Sequence, residues 1–148
     1  MSHSFTKIWI HAIFRTKNSS PLIDKNLEQK LYNHVRTLLE NELSCFVRII
    51  NGTVDHIHIL FLLNQNFALK GIIQRIKGNS AHWINQNDFI KVKFAWQIGY
   101  GAFSLSESKL KVVEEYINRQ KEHHKKLSFT EEYKQFLKKV GIDFVENG

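Results

Sequence analysis

The chain has 148 residues, and Lys and Arg outnumber Asp and Glu by 21 to 14, which gives a formal net charge of +7. This length suits one compact domain with a buried core, so we expect residues 1–148 to form a single domain. The basic balance favours a polyanionic partner such as nucleic acid. The single cysteine, Cys45, excludes intrachain disulfides and zinc clusters built from thiolates.

Targeting signals are not evident in the sequence. Residues 1–7 lack the basic and then apolar segments of a signal peptide. No apolar run approaches the roughly 18 residues that a membrane helix needs. We therefore expect a cytoplasmic, nucleoid-associated protein that does not interact with a membrane.

The first part of the chain predicts a strand, a helix and a second strand. Apolar side chains alternate over residues 5–16, which is typical of a strand. Asp24 suits the N-cap of a helix that runs to about residue 43. Residues 45–50 predict the second strand, and Asn51-Gly52 is a strong turn signal, so this strand and the next should form an antiparallel hairpin.

The strand after that turn, residues 55–63, carries His56 and His58 near its start. Side chains of a strand alternate between faces, so the two imidazoles project to one side, about 7 Å apart. Both faces are otherwise apolar, which predicts a central strand. Two imidazoles at this spacing can converge on one cation, although a buried histidine bonded to backbone is commoner. The histidine-triad motif of some hydrolases is not met, since Leu60 replaces its third histidine.

His11 lies in the middle of the first strand. It could approach the histidine pair if the two strands are neighbours. The favoured interpretation is a satisfied core histidine, so His11 is not counted among the metal ligands. Asp55 adjoins His56 but points to the opposite face of a regular strand, and it is left out of the ligand set as well.

The rest of the chain predicts a second helix over residues 69–84, a fourth strand within residues 91–104 with a bend at its glycines, and a third helix to about residue 126. A short last helix should end near Lys139. The order strand, helix, strand, strand, helix, strand is that of split β-α-β, ferredoxin-like folds. We therefore expect an α+β fold: an antiparallel sheet with helices on one face and extra C-terminal helices.

The third helix places Tyr116 and Gln120 four residues apart, on one face and about one turn from each other. Tyr116 can be a nucleophile and Gln120 a carbonyl-oxygen ligand; alternatively, the tyrosine packs on the sheet and the glutamine lies at the surface. Several basic positions suit either a solvated surface or contact with DNA phosphates. These candidate DNA-binding residues are His123, His124, Lys125 and Arg75.

The ordered set of motifs resembles the single-tyrosine HUH transposases, the small transposases of simple insertion sequences and their REP-associated relatives. The resemblance is carried by His56-Ile57-His58, by Tyr116 and Gln120, and by Trp96-Gln97-x-Gly99-Tyr100-Gly101 between them. It extends from the first strand to near the C-terminus and includes Asn51-Gly52-x-x-Asp55 and His123-His124.

This resemblance implies that His56, His58 and Gln120 hold a divalent metal ion, Mg²⁺ or Mn²⁺, and that Tyr116 attacks the DNA. It implies single-stranded DNA hairpins at element ends as substrate, cleaved and rejoined through a 5′-phosphotyrosine. It also implies a homodimer in which the tyrosine of one chain serves the histidines of the other. The residues alone permit this arrangement but do not require it, since a site within one chain is also sterically possible.

Two other functions are compatible with these motifs. One is a nicking endonuclease of the same chemistry, such as a replication initiator or relaxase, although those proteins usually carry more domains. The other is a domesticated single-stranded DNA hairpin-binding protein that keeps the fold without cleavage.

Overall fold

The structure, a computed structural model, describes residues 4–123, 131, 134–136 and 138. The strands and helices in chain order are β1 (Trp9–Arg15), α1 (Lys25–Thr37), β2 (Val47–Gly52), β3 (His56–Leu62), α2 (Leu69–Gln86), β4 (Gly101–Leu105), α3 (Leu110–Asn118) and the four-residue α4 (Gln120–His123). A π-helical turn, Leu38–Glu42, extends α1, and a 3₁₀ turn, Glu107–Lys109, precedes α3. Within the described residues, no helix has the length and apolar character that crossing a membrane requires.

The four strands form one antiparallel sheet in the order β2-β3-β1-β4. Strand β3 therefore lies between β2 and β1, as its two apolar faces predict. The element order and this sheet confirm the predicted α+β class with its split β-α-β arrangement. The two inner strands, β3 and β1, are the most rigid places in such a sheet from which to present functional side chains.

Different helices cover the two faces of the sheet. Helices α1 and α2 share a hydrophobic core with Ile57 and Ile59 of β3. Helix α3 packs on the opposite face, where Val113 and Ile117 join a second cluster with Leu60. We call these the α1/α2 face and the α3 face.

Helix α1 begins where its sequence predicts. The Asp24 side chain accepts a hydrogen bond from the backbone N–H of Leu27 at 2.8 Å, which satisfies one donor of the first turn. A cap of this kind stabilises a protein by about 1 kcal/mol. Leu27, Leu31 and Val35 follow at helical spacing and are buried against the sheet.

The hairpin between β2 and β3 differs in detail from the sequence prediction. Asn51 and Gly52 are the last residues of β2, and residues 53–55 make the connection. A Cβ atom at Gly52 would lie 2.1 Å from the carbonyl oxygen of His56. The glycine is therefore required by the close approach of the two backbones at the start of β3.

The predicted fourth strand is wrong over residues 91–100, since β4 covers only Gly101–Leu105. Before β4 the chain makes one isolated bridge, from Trp96 to Thr16. Gly99 has a positive φ of 95°, which breaks strand geometry. The ammonium group of Lys77 instead holds this segment by donating to the carbonyl oxygens of Gln97 at 2.6 Å and Gly99 at 2.8 Å.

The third helix is shorter than predicted. Helix α3 ends at Asn118, and Arg119 separates it from α4 because its ψ of 16° departs from α-helical values. Residues 124–126, the predicted end of this helix, lie outside the described residues. Of the predicted last helix, residues 131, 134–136 and 138 are helical.

Candidate active site

The two histidines of β3 open the strand, and both side chains are fully buried. They alternate with Ile57 and Ile59, which belong to the core on the α1/α2 face, so His56 and His58 lie on the α3 face. Their ring centroids are 5.0 Å apart. The structure thus brings the two predicted metal ligands together beneath α3 and α4.

The two ring nitrogens of His56 face different groups. Nδ1 lies 2.7 Å from a carboxylate oxygen of Asp55 and 2.9 Å from the hydroxyl of Thr53. Nε2 lies 2.9 Å from the side-chain carbonyl oxygen of Gln120, which is itself fully buried. The third predicted ligand is therefore next to the first.

This arrangement fits a divalent cation. A carboxylate only accepts hydrogen bonds, so His56 donates from Nδ1 to Asp55, and in the neutral imidazole Nε2 then carries the lone pair. The side-chain carbonyl oxygen of Gln120, 2.9 Å from Nε2, also carries lone pairs, so these two atoms can serve together as ligands of one cation. A carboxylate behind a ligating imidazole is also the usual support of a metal-bound histidine.

The donor set consists of imidazole nitrogens and an amide oxygen. In the described part of the chain, no group of three or more His, Cys, Asp or Glu residues could hold a metal ion. A metal centre here would therefore depend on Gln120 as well as on His56 and His58. Imidazole suits transition metals and oxygen suits Mg²⁺ or Mn²⁺, so the donors accommodate either class.

Asn51 fixes the C-terminal end of α3, which precedes Gln120. Its side-chain amide donates to the carbonyl oxygens of Ile117 at 2.9 Å and Asn118 at 3.2 Å. Asn51 pairs with His58 in the β2–β3 register, so its side chain also lies on the α3 face. One residue thus satisfies exposed carbonyls of a helix end and ties that end to the histidine strand.

Tyr116 lies beside the histidines of its own chain. Its ring stands edge-on to that of His58, with 5.8 Å between centroids and 80° between planes. It also stacks with Phe136, with 3.8 Å between centroids and 17° between planes. The side chain is half-buried, unlike the histidines. The structure therefore places the predicted nucleophile, two predicted histidine ligands and Gln120 within one chain.

His11 contacts the histidine pair directly. His11 pairs with Leu60 in the β1–β3 register, so His58 is its diagonal neighbour on the same face of the sheet. Its Nε2 lies 2.9 Å from Nδ1 of His58. The two rings stack with 5.1 Å between centroids. Burial lowers the pKa of His11 to about 3, so the imidazole is neutral. His11 is buried as expected of a core histidine, but its hydrogen-bond partner is a predicted ligand.

Of the residues predicted to contact DNA, Arg75 is the one whose side chain lies within the described residues. Arg75 is on α2, on the opposite face of the sheet, and forms an ion pair with Glu42 at 2.6 Å. His124, Lys125 and the side chain of His123 lie outside the described residues. The structure therefore does not bring Arg75 together with the histidines.

Several residues of the site escape sequence reasoning. Asp55 precedes β3, so strand alternation does not govern its direction, and its carboxylate turns back to His56. Arg15 is exposed and pairs with His56 in the β1–β3 register, which puts a cation at the edge of the site. Phe136 comes from the C-terminal region and has no sequence signal. Arg15 could have been identified only from the pairing of β1 with β3.

Comparisons with known proteins identify the sequence pattern. The sequence profile of the family described as "Transposase IS200 like" matches residues 4–120. Among proteins of curated function, none is significantly similar in sequence. The matched segment spans the strands and the site from His11 to Gln120.

Two solved structures have a similar fold. One is a candidate transposase from Deinococcus radiodurans R1, with a TM-score of 0.65, 18% identity, and coverage of 81% of this chain and 95% of that chain. The other is a REP-associated tyrosine transposase bound to a REP hairpin, with a TM-score of 0.54, 13% identity, and coverage of 81% and 70%.

Proposed function

This chain belongs to the IS200-like transposase family, and we propose that it cleaves and rejoins single-stranded DNA at hairpin-bearing element ends through a 5′-phosphotyrosine. Membership of a transposase family implies a DNA-processing enzyme. The observation that carries the finer proposal is the meeting of Tyr116 with His58 and of Gln120 with His56 on the α3 face.

Tyr116 is the nucleophile of the proposed reaction. Its phenolic oxygen attacks the phosphorus of a phosphodiester, forming a bond to the 5′-phosphate while the bond from phosphorus to the 3′-oxygen breaks. The phenol loses a proton and the leaving 3′-oxygen gains one, so one strand ends in a 3′-hydroxyl. In rejoining, a 3′-hydroxyl attacks the phosphotyrosine and releases Tyr116. The bond energy is conserved, and no nucleotide cofactor is required.

His56, His58 and Gln120 form the proposed metal site. When bound there, Mg²⁺ or Mn²⁺ supplies neutralisation of phosphate charge and orientation of the phosphate for in-line attack. The protein holds these three side chains in a buried position, since they are almost completely inaccessible to solvent. Asp55 holds the ring of His56 from behind, so the donor atoms are arranged before substrate arrives.

The proposed substrate class rests on charge and on the location of the site. The formal charge of +7 favours a polyanion. Arg15 lies beside His56 at the solvent-exposed edge, where the phosphate next to the cleaved bond would pass. A relative of similar fold is described as bound to a REP hairpin, which supports hairpin DNA as the ligand class. Arg75, on the other face, would contact this DNA only if the strand wraps around the sheet.

We also propose a two-fold homodimer whose sites exchange tyrosines. Tyr116 and Gln120 lie on one segment, so a segment docked on a partner would deliver both side chains together. Gly99 precedes β4, which is paired with β1, so the 3₁₀ turn Glu107–Lys109, which follows β4, is better placed to act as the hinge of this segment. An exchanged segment remakes the same contacts, which makes the exchange energetically cheap.

A single assay separates cleavage from mere binding. Labelled single-stranded hairpin DNA is incubated with the protein and Mg²⁺, and products are separated in SDS. A transposase or a nicking enzyme of this chemistry forms a covalent adduct that resists SDS, whereas a domesticated hairpin-binding protein shifts the DNA only under native conditions. Addition of a second labelled strand then separates rejoining from nicking, because only a strand transferase produces a recombinant strand.

A further inference from the structure

The histidine pair of β3 is part of a chain of three imidazoles. His11 is 2% exposed and its Nε2 lies 2.9 Å from Nδ1 of His58, in a stacked arrangement with 28° between the ring planes. His58 in turn stands next to His56. Two nitrogens at this distance share one proton, so one imidazole donates and the other accepts.

We propose that His11 is a positioning residue that accepts the Nδ1 proton of His58 and so directs Nε2 of His58 to the metal ion. A neutral imidazole ligates through its unprotonated nitrogen, and the hydrogen bond at the other nitrogen decides which one that is. With Nδ1 protonated towards His11, the lone pair of His58 is on Nε2.

The fold makes this contact rigid. His11 and His58 lie on the two inner strands, β1 and β3, which pair continuously from Trp9–Leu62 to Arg15–His56. The position of His11 diagonal to His58 is therefore set by backbone hydrogen bonds rather than by side-chain freedom.

The two ligating histidines thus have different supports. His56 donates to the carboxylate of Asp55, whereas His58 donates to the neutral imidazole of His11. A carboxylate raises the basicity of a ligand more than a neutral acceptor does. His11 therefore fixes the direction of His58 without adding negative charge to the centre that must accept an anionic phosphate.

The inference rests on the proposed function, because it takes His58 as a ligand. The test uses the full chain and Mn²⁺ as the probe. Binding of Mn²⁺ is measured by calorimetry for the wild type, His11→Leu, His11→Gln and His58→Ala. Gln keeps an acceptor near the position of Nε2, whereas Leu fills the space without one. His34→Leu, which removes a histidine bonded to Asn79 on the α1/α2 face, is the matched control.

We expect His11→Leu to weaken Mn²⁺ binding by about 10–100-fold, His11→Gln to restore most of it, and His34→Leu to leave it unchanged. Thermal unfolding without metal checks that each variant folds. If His11→Leu folds poorly, the comparison of His11→Gln with the wild type still tests the proposal. A positioning role predicts similar Mn²⁺ affinity, whereas a role that needs the imidazole ring itself predicts weaker Mn²⁺ binding.

A second measurement does not depend on the metal. Nitrogen-15 NMR of the imidazoles in the metal-free protein reports which nitrogen of His58 carries the proton, and we expect Nδ1 in the wild type and a mixture of tautomers in His11→Leu. A wild-type His58 protonated at Nε2, or His11→Leu with unchanged Mn²⁺ affinity, overturns the inference. If His58→Ala binds Mn²⁺ normally while the NMR result holds, the metal site of the proposed function fails instead.

Discussion

Tyr116 and His58 lie edge to face within a single chain, with 5.8 Å between their ring centroids. One comes from β3 and the other from α3, 58 positions later in the sequence. Phe136 stacks on the tyrosine ring with 3.8 Å between centroids, a contact that a phenylalanine at position 116 can also make. Because the ring contacts involve no hydroxyl group, a minimal substitution can test Tyr116 as the proposed nucleophile.

The first prediction concerns Tyr116→Phe. The variant keeps the ring, its stacking with Phe136 and its edge-on contact with His58. We expect complete loss of the SDS-resistant adduct, with hairpin affinity in gel shifts within about twofold of the wild type, because one oxygen is removed. Tyr100→Phe, a half-exposed tyrosine outside the site, is the control. Adduct formation by Tyr116→Phe would refute the assignment.

The second prediction concerns the ligand set. His56→Ala and His58→Ala should each lower divalent-ion-dependent cleavage by about 100-fold or more, because loss of a metal ligand removes several kcal/mol of charge stabilisation. Gln120→Ala should also weaken it by loosening the third ligand, and excess Mn²⁺ should partly restore it, since both histidines remain. Cleavage is measured against divalent-ion concentration.

Chelation provides the control for these ligand variants. EDTA should stop wild-type cleavage, and added Mg²⁺ should restore it. His82→Ala, at an exposed position on α2, should behave as the wild type. Normal cutting by both His56→Ala and His58→Ala would remove the metal-site interpretation.

The third prediction concerns Asp55→Asn. The amide keeps the size of the side chain but loses the charge that faces Nδ1 of His56 at 2.7 Å. We expect metal affinity to fall by about 10–100-fold, as is usual when the partner of a ligating histidine is changed. Asp88→Asn, at an exposed position two residues after the end of α2, is the matched control. Unchanged affinity in Asp55→Asn would mean that the carboxylate does not support the ligand.

The sequence could predict the histidine pair because strand alternation is a local property. His56 and His58 share a face in any extended strand, and the apolar residues around them indicate a central strand. Tyr116 and Gln120 are likewise related by helical spacing, although Arg119 interrupts the helix between them. Local periodicity thus predicts each half of the site separately.

The remaining residues depend on pairing between distant segments. His11 reaches His58 only because β1 and β3 are neighbours in one particular register, which no short-range pattern specifies. The direction of Asp55 depends on the connection at residues 53–55, where alternation does not apply. Strand β4 is shorter than predicted for a different reason. The aromatic residues before Gly99 have the composition of a strand, but they pack into the core from an irregular segment.

The fourth prediction concerns the salt dependence of DNA binding. The logarithm of the affinity for single-stranded hairpin DNA should fall linearly with the logarithm of salt concentration, by about 0.7 per phosphate contact. Arg15→Gln should reduce the magnitude of this slope by about 0.7, because the side chain is beside His56 at the exposed edge. The measurement is a titration at several salt concentrations.

Arg75→Gln makes the comparison informative, because Arg75 is on the α1/α2 face and paired with Glu42. A slope reduced only in Arg15→Gln places the DNA on the α3 face alone. An equal reduction in Arg75→Gln supports the sequence prediction for that residue and a strand that wraps around the sheet. A slope near zero in the wild type would contradict phosphate contacts altogether.

The last prediction concerns the exchange of tyrosines between subunits. Tyr116→Phe and His56→Ala, each expected to be inactive or nearly so, are mixed under conditions in which subunits exchange. In a dimer with composite sites, the Tyr116→Phe chain supplies intact His56 and His58, and the His56→Ala chain supplies Tyr116 together with Gln120. One of the two sites in each mixed dimer is complete. Adduct should return to about a quarter of the wild-type level in a statistical mixture.

A second mixture, Tyr116→Phe with Gln120→Ala, is the matched control. Both changes lie on the same segment, so exchange of that segment never produces a site that has Tyr116 and Gln120 together. Composite sites therefore predict recovery in the first mixture and none beyond the residual activity of Gln120→Ala in the second. If mixed dimers form but the first mixture stays inactive, each chain uses its own tyrosine, as Tyr116 and His58 are arranged within the single chain.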